Sequence, residues 1–226
     1  MSLMPNKFIL GPVGGGENTP LKFIGDFSLK GKITEIVRQS IQILQLVNPL
    51  FLIQCYRSKK ILVRTKETYK MIPSVFLNKT ELMLETGVPE ELLGYESKGI
   101  RSADEIRIIT IGRFIPSKIN LLTLKVILEF KNKYDIPFKF YIVGDGNERK
   151  KLESFCRKNG LENDVVFTGW VAREQVFEYL SLSDIYFSTT FKEGGTWAFF
   201  EAVAMGIPVA CLKISGPDMI VEDGAG

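Results

Sequence analysis

Between positions 106 and 212 the chain repeats one pattern: a short, nearly all-apolar run, a loop that usually carries glycine, then a segment with helical spacing. The apolar runs fall at 106–111, 138–143, 164–168, 184–188 and 207–212, and the helical segments at 120–134, 148–159, 173–182 and 196–205. Strands that are apolar on both faces must be covered on both faces. Alternation with helices therefore predicts an α/β fold with a parallel sheet. In open sheets of this kind ligands gather beyond the carboxyl ends of the strands. The loops at 112–118, 144–147, 169–173, 193–196 and 215–217 are expected to converge on one edge.

The earlier part is less regular. A strand at 8–10 runs into Gly11-Pro12-Val13-Gly14-Gly15-Gly16-Glu17, and residues 18–30 read as loop. Ile33, Val37, Ile41, Leu44 and Val47 lie on one helical face, in a helix that Pro49 interrupts. A strand at 60–64, a short helix at 67–72 and a strand at 82–84 complete what looks like half of an α/β domain. Two domains follow from this: 1–100 and 101–226. Three glycines in a row permit close backbone approach or positive φ angles; a flexible hinge is the other reading. Met1-Ser2-Leu3 ahead of Met4 resembles a vector-derived leader. The ending Gly224-Ala225-Gly226 leaves the last strand of a doubly wound domain unwritten, so both domains are expected to be truncated.

Composition narrows the chemistry. The chain of 226 residues has no histidine, which removes His-based acid–base, triad and metal chemistry. A net charge of +3 is too balanced for a nucleic-acid binder. Residues 1–103 nevertheless hold 14 basic and 9 acidic side chains, which leaves two readings open: a solvated surface or contact with an anionic membrane. Three scattered cysteines follow no metal spacing and fit a reducing compartment. The sequence shows no signal pattern and no apolar run near the roughly 20 residues that span a bilayer. A cytoplasmic protein is expected, peripheral at the inner membrane face if the basic half meets lipid.

The densest chemistry lies in Phe191-Lys192-Glu193-Gly194-Gly195-Thr196-Trp197-Ala198-Phe199-Phe200-Glu201-Ala202. A strand that ends in a glycine turn and feeds a helix offers backbone N–H groups of Gly194, Gly195 and Thr196 to an anion. Glu193 and Glu201 can then reach hydroxyl groups beside it. Glu201 sits in an apolar run, where a carboxylate is costly without partners; a ribose diol would supply two donors. Arg113 and Lys118 flank the loop after the first strand of the second part and could neutralise a diphosphate leaving group. Gly144-Asp145-Gly146-Asn147-Glu148-Arg149 only partly matches a dinucleotide fingerprint, since Arg149 occupies the third glycine position. Its glycines allow approach to a nucleoside or simply make a turn. Trp170 and Trp197 read as core or pocket wall, or as stacking platforms. A carboxylate pair can mark a glycosidase, but here it stands on a phosphate-type loop with cations converging. No Asp-x-Asp pair stands in a metal-binding context, so neither metal nor cofactor is expected.

In order along the chain, Gly112-Arg113 with Lys118, Val143-Gly144-Asp145-Gly146, Phe167-Thr168-Gly169-Trp170-Val171, the Glu193 to Glu201 pair, Gly206-Ile207-Pro208-Val209 and Gly216-Pro217-Asp218-Met219-Ile220-Val221 resemble the glycosyltransferases of family 4, which have the GT-B fold and act with retention. The match is weaker in Gly11 to Glu17 and Glu85-Thr86-Gly87. The resemblance implies two Rossmann-like domains and transfer of a sugar from a nucleoside diphosphate sugar to a saccharide or lipid-linked hydroxyl acceptor, in bacterial polysaccharide or glycolipid synthesis. It implies Glu193, Arg113 and Lys118 as the catalytic set. It implies substrate binding by Glu201, Gly194, Gly195, Thr196, Gly144, Val171, Gly14 and Gly15, with Val171 meeting the base through its backbone. A sugar-nucleotide epimerase and a non-catalytic nucleotide-binding module remain the rival readings.

Overall fold

The structure is a computed structural model that describes residues 8–83, 87, 88, 90, 92, 105–193 and 197–220. It divides into two compact units. The first holds Met1–Thr86 with Phe191–Gly195 and Lys213–Glu222; the second holds Gly87–Thr190 with Thr196–Leu212 and Asp223–Gly226.

In the first unit the order is β1 (Ile9–Val13), α1 (Leu21–Ile24), α2 (Leu29–Leu46), α3 (Pro49–Arg57), β2 (Lys60–Val63), α4 (Lys66–Met71), a 3-10 helix Ser74–Lys79 and β3 (Thr80–Leu82). The strands form a parallel sheet in the order β1-β2-β3. Its core is small: Cys55, Ile61, Val63 and Ile72 are buried, with Leu10, Val13 and Phe51 against them. Helix starts follow capping chemistry. Ser28 accepts from the Gly31 N–H at 3.2 Å, so α2 begins inside the stretch that reads as loop in the sequence. Asn48 accepts from Leu50 N–H at 2.9 Å with Pro49 in the first turn, which ends α2 and restarts the chain as α3. The last strand comes earlier than its predicted place at 82–84, after the 3-10 helix; Leu84, Glu85 and Thr86 lie outside the described residues.

Helix α2 is turned unusually. An apolar stripe ordinarily faces a core, yet Ile33, Val37, Ile41, Leu44 and Val47 are all exposed, and the buried residues of the helix are Glu35 and Gln42. The inward face is polar and is satisfied by hydrogen bonds, some of them with partners remote in sequence. Glu35 accepts from Arg38 Nη2 at 3.1 Å, from Gln39 Nε2 at 3.1 Å, and from the Lys192 ammonium. Gln42 Nε2 donates to the Gly15 carbonyl.

The second unit contains β4 (Ile106–Ile111), α5 (Leu121–Lys133), β5 (Phe138–Val143), α6 (Arg149–Lys158), β6 (Val165–Gly169), α7 (Arg173–Ser181), β7 (Ile185–Ser188), α8 (Trp197–Ala204) and β8 (Val209–Cys211); α9 (Pro217–Ile220) belongs to the first unit. The five strands are all parallel, in the order β6-β5-β4-β7-β8. One face carries α5 and α6 on a core of Phe138, Phe140, Ile142, Leu124, Leu152 and Cys156. The alternate residue Tyr141 meets Tyr179 of α7 at 5.7 Å between ring centroids on the other face. Each large apolar side chain buried there contributes about 1.5–3 kcal/mol. Because β4 is the first strand of the unit and lies inside the sheet, the winding reverses between β4 and β7. That reversal opens a crevice at their carboxyl ends, where ligands bind in such sheets.

Candidate functional site

The loops that leave β4, β5 and β6 meet at this edge. Phe114 N–H donates to the Asp145 carbonyl at 2.9 Å, and Glu148 N–H to the Phe114 carbonyl at 3.0 Å. The Phe114 ring is buried edge-on to Phe167. With that side chain anchored inward, neighbouring Arg113 is left exposed. The loop to α5 is pinned at its far end, where Asn120 Nδ2 donates to the carbonyls of Pro116 (3.0 Å) and Lys118 (3.1 Å) and its Oδ1 caps α5. Thr123 Oγ1 lies 2.6 Å from Thr189 Oγ1, joining the start of α5 to the end of β7 at the switch point.

Arg113, Ile115, Asp145, Gly146, Asn147 and Trp170 line one open cleft of about 490 Å³. Trp170 is 71% exposed, which excludes a core role and makes it a wall of the cleft. Asp145 receives the Gly146 N–H at 2.7 Å and Arg149 Nη1 at 2.9 Å, and these donors hold its carboxyl below the ordinary range. Arg149, where a dinucleotide fingerprint would need glycine, instead ties Asp145 to Glu153. Gly144 is required by its neighbour: at φ +128° a Cβ there would fall 2.0 Å from the Gly112 carbonyl oxygen. A tight loop-to-loop approach therefore explains this glycine as well as approach to a nucleoside would.

Glu201, on α8, is 3% exposed. Burial pushes its carboxyl above the ordinary value, and Arg173 Nη2, donating at 2.8 Å to Oε1, opposes that rise. The Arg173 guanidinium also lies over the rings of Phe177 and Trp197. The partner that the apolar setting of Glu201 demands is thus supplied in part by the protein. Sequence reading missed Arg173, although the expected loop cluster ended on it; the signal was the need for a cation near a buried carboxylate.

The other predicted residues are distributed as follows. Lys118 ends the Arg113 loop and Val171 follows Trp170, both in the second unit. Gly194, Gly195 and Thr196 lie outside the described residues. Glu193, Gly14 and Gly15 belong to the first unit. There the Glu193 carbonyl accepts from Gly216 N–H at 2.6 Å, and Ser215 N–H donates to Glu67 at 3.1 Å. Phe191 stacks on Phe23 at 4.9 Å. The triple-glycine loop is tied down rather than loose: Gly15 N–H donates to Glu17, Gly16 N–H to Thr68 Oγ1, and Thr65 Oγ1 to the buried Glu17 carboxylate at 2.8 Å. A Cβ on Gly16 would sit 2.5 Å from the Thr68 backbone, so close packing against α4 requires glycine there. A small cavity of about 60 Å³ lies beside the loop, lined among others by Gly15, Gln42, Thr68 and Met71.

The profile of the glycosyl transferases, group 1, matches residues 96–226. The chain belongs to that family. Among curated relatives, the lipopolysaccharide core biosynthesis glycosyltransferase LpsD of Rhizobium meliloti (strain 1021) is 29% identical over 119 residues, covering 53% of this chain and 33% of the relative. The GPI3 polypeptide of the phosphatidylinositol N-acetylglucosaminyltransferase of Saccharomyces cerevisiae (strain YJM789) is 25% identical over 128 residues, covering 56% and 28%. The matched stretch is thus about a third of these relatives' length. The solved apo form of the lipopolysaccharide outer core galactosyltransferase WaaB superposes with a TM-score of 0.61 at 17% identity, over 75% of this chain and 47% of that one. Alr3699/HepE of Anabaena, in complex with UDP and glucose, gives 0.56 at 18% identity over 76% and 49%. These neighbours are GT-B glycosyltransferases, and the α/β architecture of parallel sheets described above is of that fold.

Proposed function

We propose that the protein is a retaining glycosyltransferase of family 4, and that the cleft of the second unit holds a nucleoside diphosphate sugar. The observation that carries this is the joint placement of Arg113, Gly146, Asn147 and Trp170 around one cleft at the carboxyl edge, next to the switch point. A diphosphate needs a bidentate cation, and Arg113 is exposed on the rim. A base needs a flat apolar platform, which Trp170 offers, with the Val171 backbone beside it.

In this reading Arg113 and Lys118 hold the diphosphate, with the N–H groups of Gly194, Gly195 and Thr196 as further donors. Glu201, oriented by Arg173, accepts from the ribose hydroxyls, and Glu193 contacts the donor sugar. Gly144, Gly14 and Gly15 let backbone approach the substrates. The bond from the anomeric carbon to the diphosphate oxygen breaks. A bond from the acceptor oxygen forms on the same face, and the acceptor proton passes to the leaving diphosphate. The cations stabilise the charge that builds on the leaving group, and no metal or cofactor takes part. The name of the lipopolysaccharide relative supports a saccharide or lipid-linked acceptor in surface polysaccharide synthesis; a bacterial source and a cytoplasmic place at the inner membrane face belong to the same proposal. UDP, bound in the HepE neighbour, is the first nucleotide to test.

The test is thermal stabilisation by UDP, GDP, ADP and their sugars, on the native chain and on Arg113→Ala. Ligand at about 100 times its dissociation constant adds about 2.7 kcal/mol. A shift with one nucleotide that Arg113→Ala abolishes supports the assignment. A shift that Arg113→Ala leaves intact removes Arg113 from it, and no shift with any nucleotide overturns the reading.

A further inference from the structure

The cleft that Arg113 and Trp170 line also holds a carboxylate to which the nucleotide reading gives no task. Asp145 lines it beside Gly146 and Asn147. Its side chain is fixed in place. Oδ1 accepts the Gly146 N–H at 2.7 Å, and Oδ2 accepts Arg149 Nη1 at 2.9 Å. Arg149 is held in turn: its Nε donates to Glu153 at 2.7 Å, and its guanidinium lies 5.9 Å from the centroid of the Phe167 ring. The backbone is fixed as well. The Asp145 carbonyl accepts from Phe114 N–H, and a Cβ on Gly146 would fall 2.5 Å from the Phe114 carbonyl oxygen. One cation shared by two carboxylates leaves this group with a net negative charge. A carboxylate held this way loses little freedom when a ligand meets it.

Its place says which part of the ligand it meets. Trp170 follows β6, Asp145 follows β5 and Arg113 follows β4, and these three strands are neighbours in that order. Adjacent strands lie about 4.8 Å apart, so Asp145 stands between the aromatic platform and the cation. An ionised carboxylate repels phosphate, and the ribose hydroxyls have Glu201. The edge of the base on Trp170 remains. A carboxylate accepts and cannot donate, and each Asp145 oxygen keeps a lone pair beyond its protein donor. Among the common bases, guanine alone carries two N–H groups side by side, at N1 and N2. Adenine and cytosine set their amino group beside a bare ring nitrogen, and uracil flanks its N3–H with two carbonyl oxygens. Each of those brings a lone pair against a carboxylate oxygen.

We propose that Asp145 is a specificity-determining residue that accepts the N1–H and N2–H groups of guanine, which makes the donor a guanosine diphosphate sugar. This deepens the nucleotide reading of the cleft and rests on it. UDP, with the same diphosphate and ribose, binds the same cleft more weakly.

The experiment is calorimetric titration of the native chain and of Asp145→Asn with GDP, UDP, ADP and inosine diphosphate. Inosine diphosphate keeps the N1–H of guanine and lacks the N2 amino group, so it tests the paired donors without any substitution. On the native chain GDP is expected to bind about tenfold tighter than UDP or ADP, with inosine diphosphate in between. In Asp145→Asn the preference for guanine is expected to vanish, whereas a merely structural role would weaken all four alike and keep their order. If that variant fails to fold by circular dichroism, GDP against inosine diphosphate on the native chain decides. UDP, ADP or inosine diphosphate binding as tightly as GDP, or a guanine preference that survives Asp145→Asn, overturns this assignment and leaves the nucleotide reading standing. Binding of none of the four overturns that reading, and this assignment with it.

Discussion

Helices α5 and α2 are of similar make and are used in opposite ways. Both are capped by a polar side chain and both carry an apolar stripe. In α5 the stripe enters a core of fully buried side chains such as Leu124 and Phe140, and the charged residues face water. In α2 the stripe faces out while Glu35 and Gln42 are buried. Hydrophobic periodicity identifies a face but not what that face touches. Direction is decided by what lies opposite: a five-stranded apolar sheet in one unit, a glycine loop and a lysine in the other.

Substitutions on the two helices and their surroundings put this contrast at risk. The largest effect is expected in the closed core, where Phe140→Ala should cost about 3–5 kcal/mol in urea unfolding. Next comes the polar underside of α2. Glu35→Gln leaves Lys192 buried beside a neutral partner and should cost about 3 kcal/mol; a negligible loss would mean that the inverted face is not what holds α2.

The same carboxylate gives a pH signature. Burial alone would raise its pKa, but the donors from Arg38 and Lys192 bring it to about 2, from an ordinary 4.5. For Lys192 itself, burial outweighs the shared contact and leaves its pKa below the ordinary lysine value. A carboxylate with a depressed folded pKa adds stability above its unfolded value. Stability should therefore fall as the pH drops from 4.5 towards 2, less steeply in Glu35→Gln. Gly144→Ala, forced against the Gly112 carbonyl, should lose more than about 1 kcal/mol. In nucleotide titrations Glu201→Gln should weaken binding about tenfold and Glu193→Gln less; equal, negligible effects would sink both roles. The smallest effect is expected on the outer arc of α2, where Val37→Ser should change stability by no more than about 0.5 kcal/mol.

The second unit was legible almost residue by residue, because strands apolar on both faces and ending at glycine leave little choice of architecture. The strand at 138–143 and the helix that Asn120 opens both stand where the sequence placed them. In the first unit the break at Pro49 was legible from proline chemistry, but the orientation of α2 was not, since Glu35 meets Lys192 across 157 positions. The site divides in the same way. Arg113 and Trp170 follow strand ends, so their shared edge could be foreseen. The Arg173–Glu201 pair and the demand of the Gly112 carbonyl on Gly144 exist only once helices and loops are packed.

Occupancy of the cleft walled by Trp170 and Arg113 by a nucleotide is read most directly from the fluorescence of Trp170, in a Trp197→Phe background, during titration with UDP. Saturable quenching that Arg113→Ala abolishes is expected. Unchanged emission at saturating nucleotide, or quenching indifferent to Arg113, would contradict it.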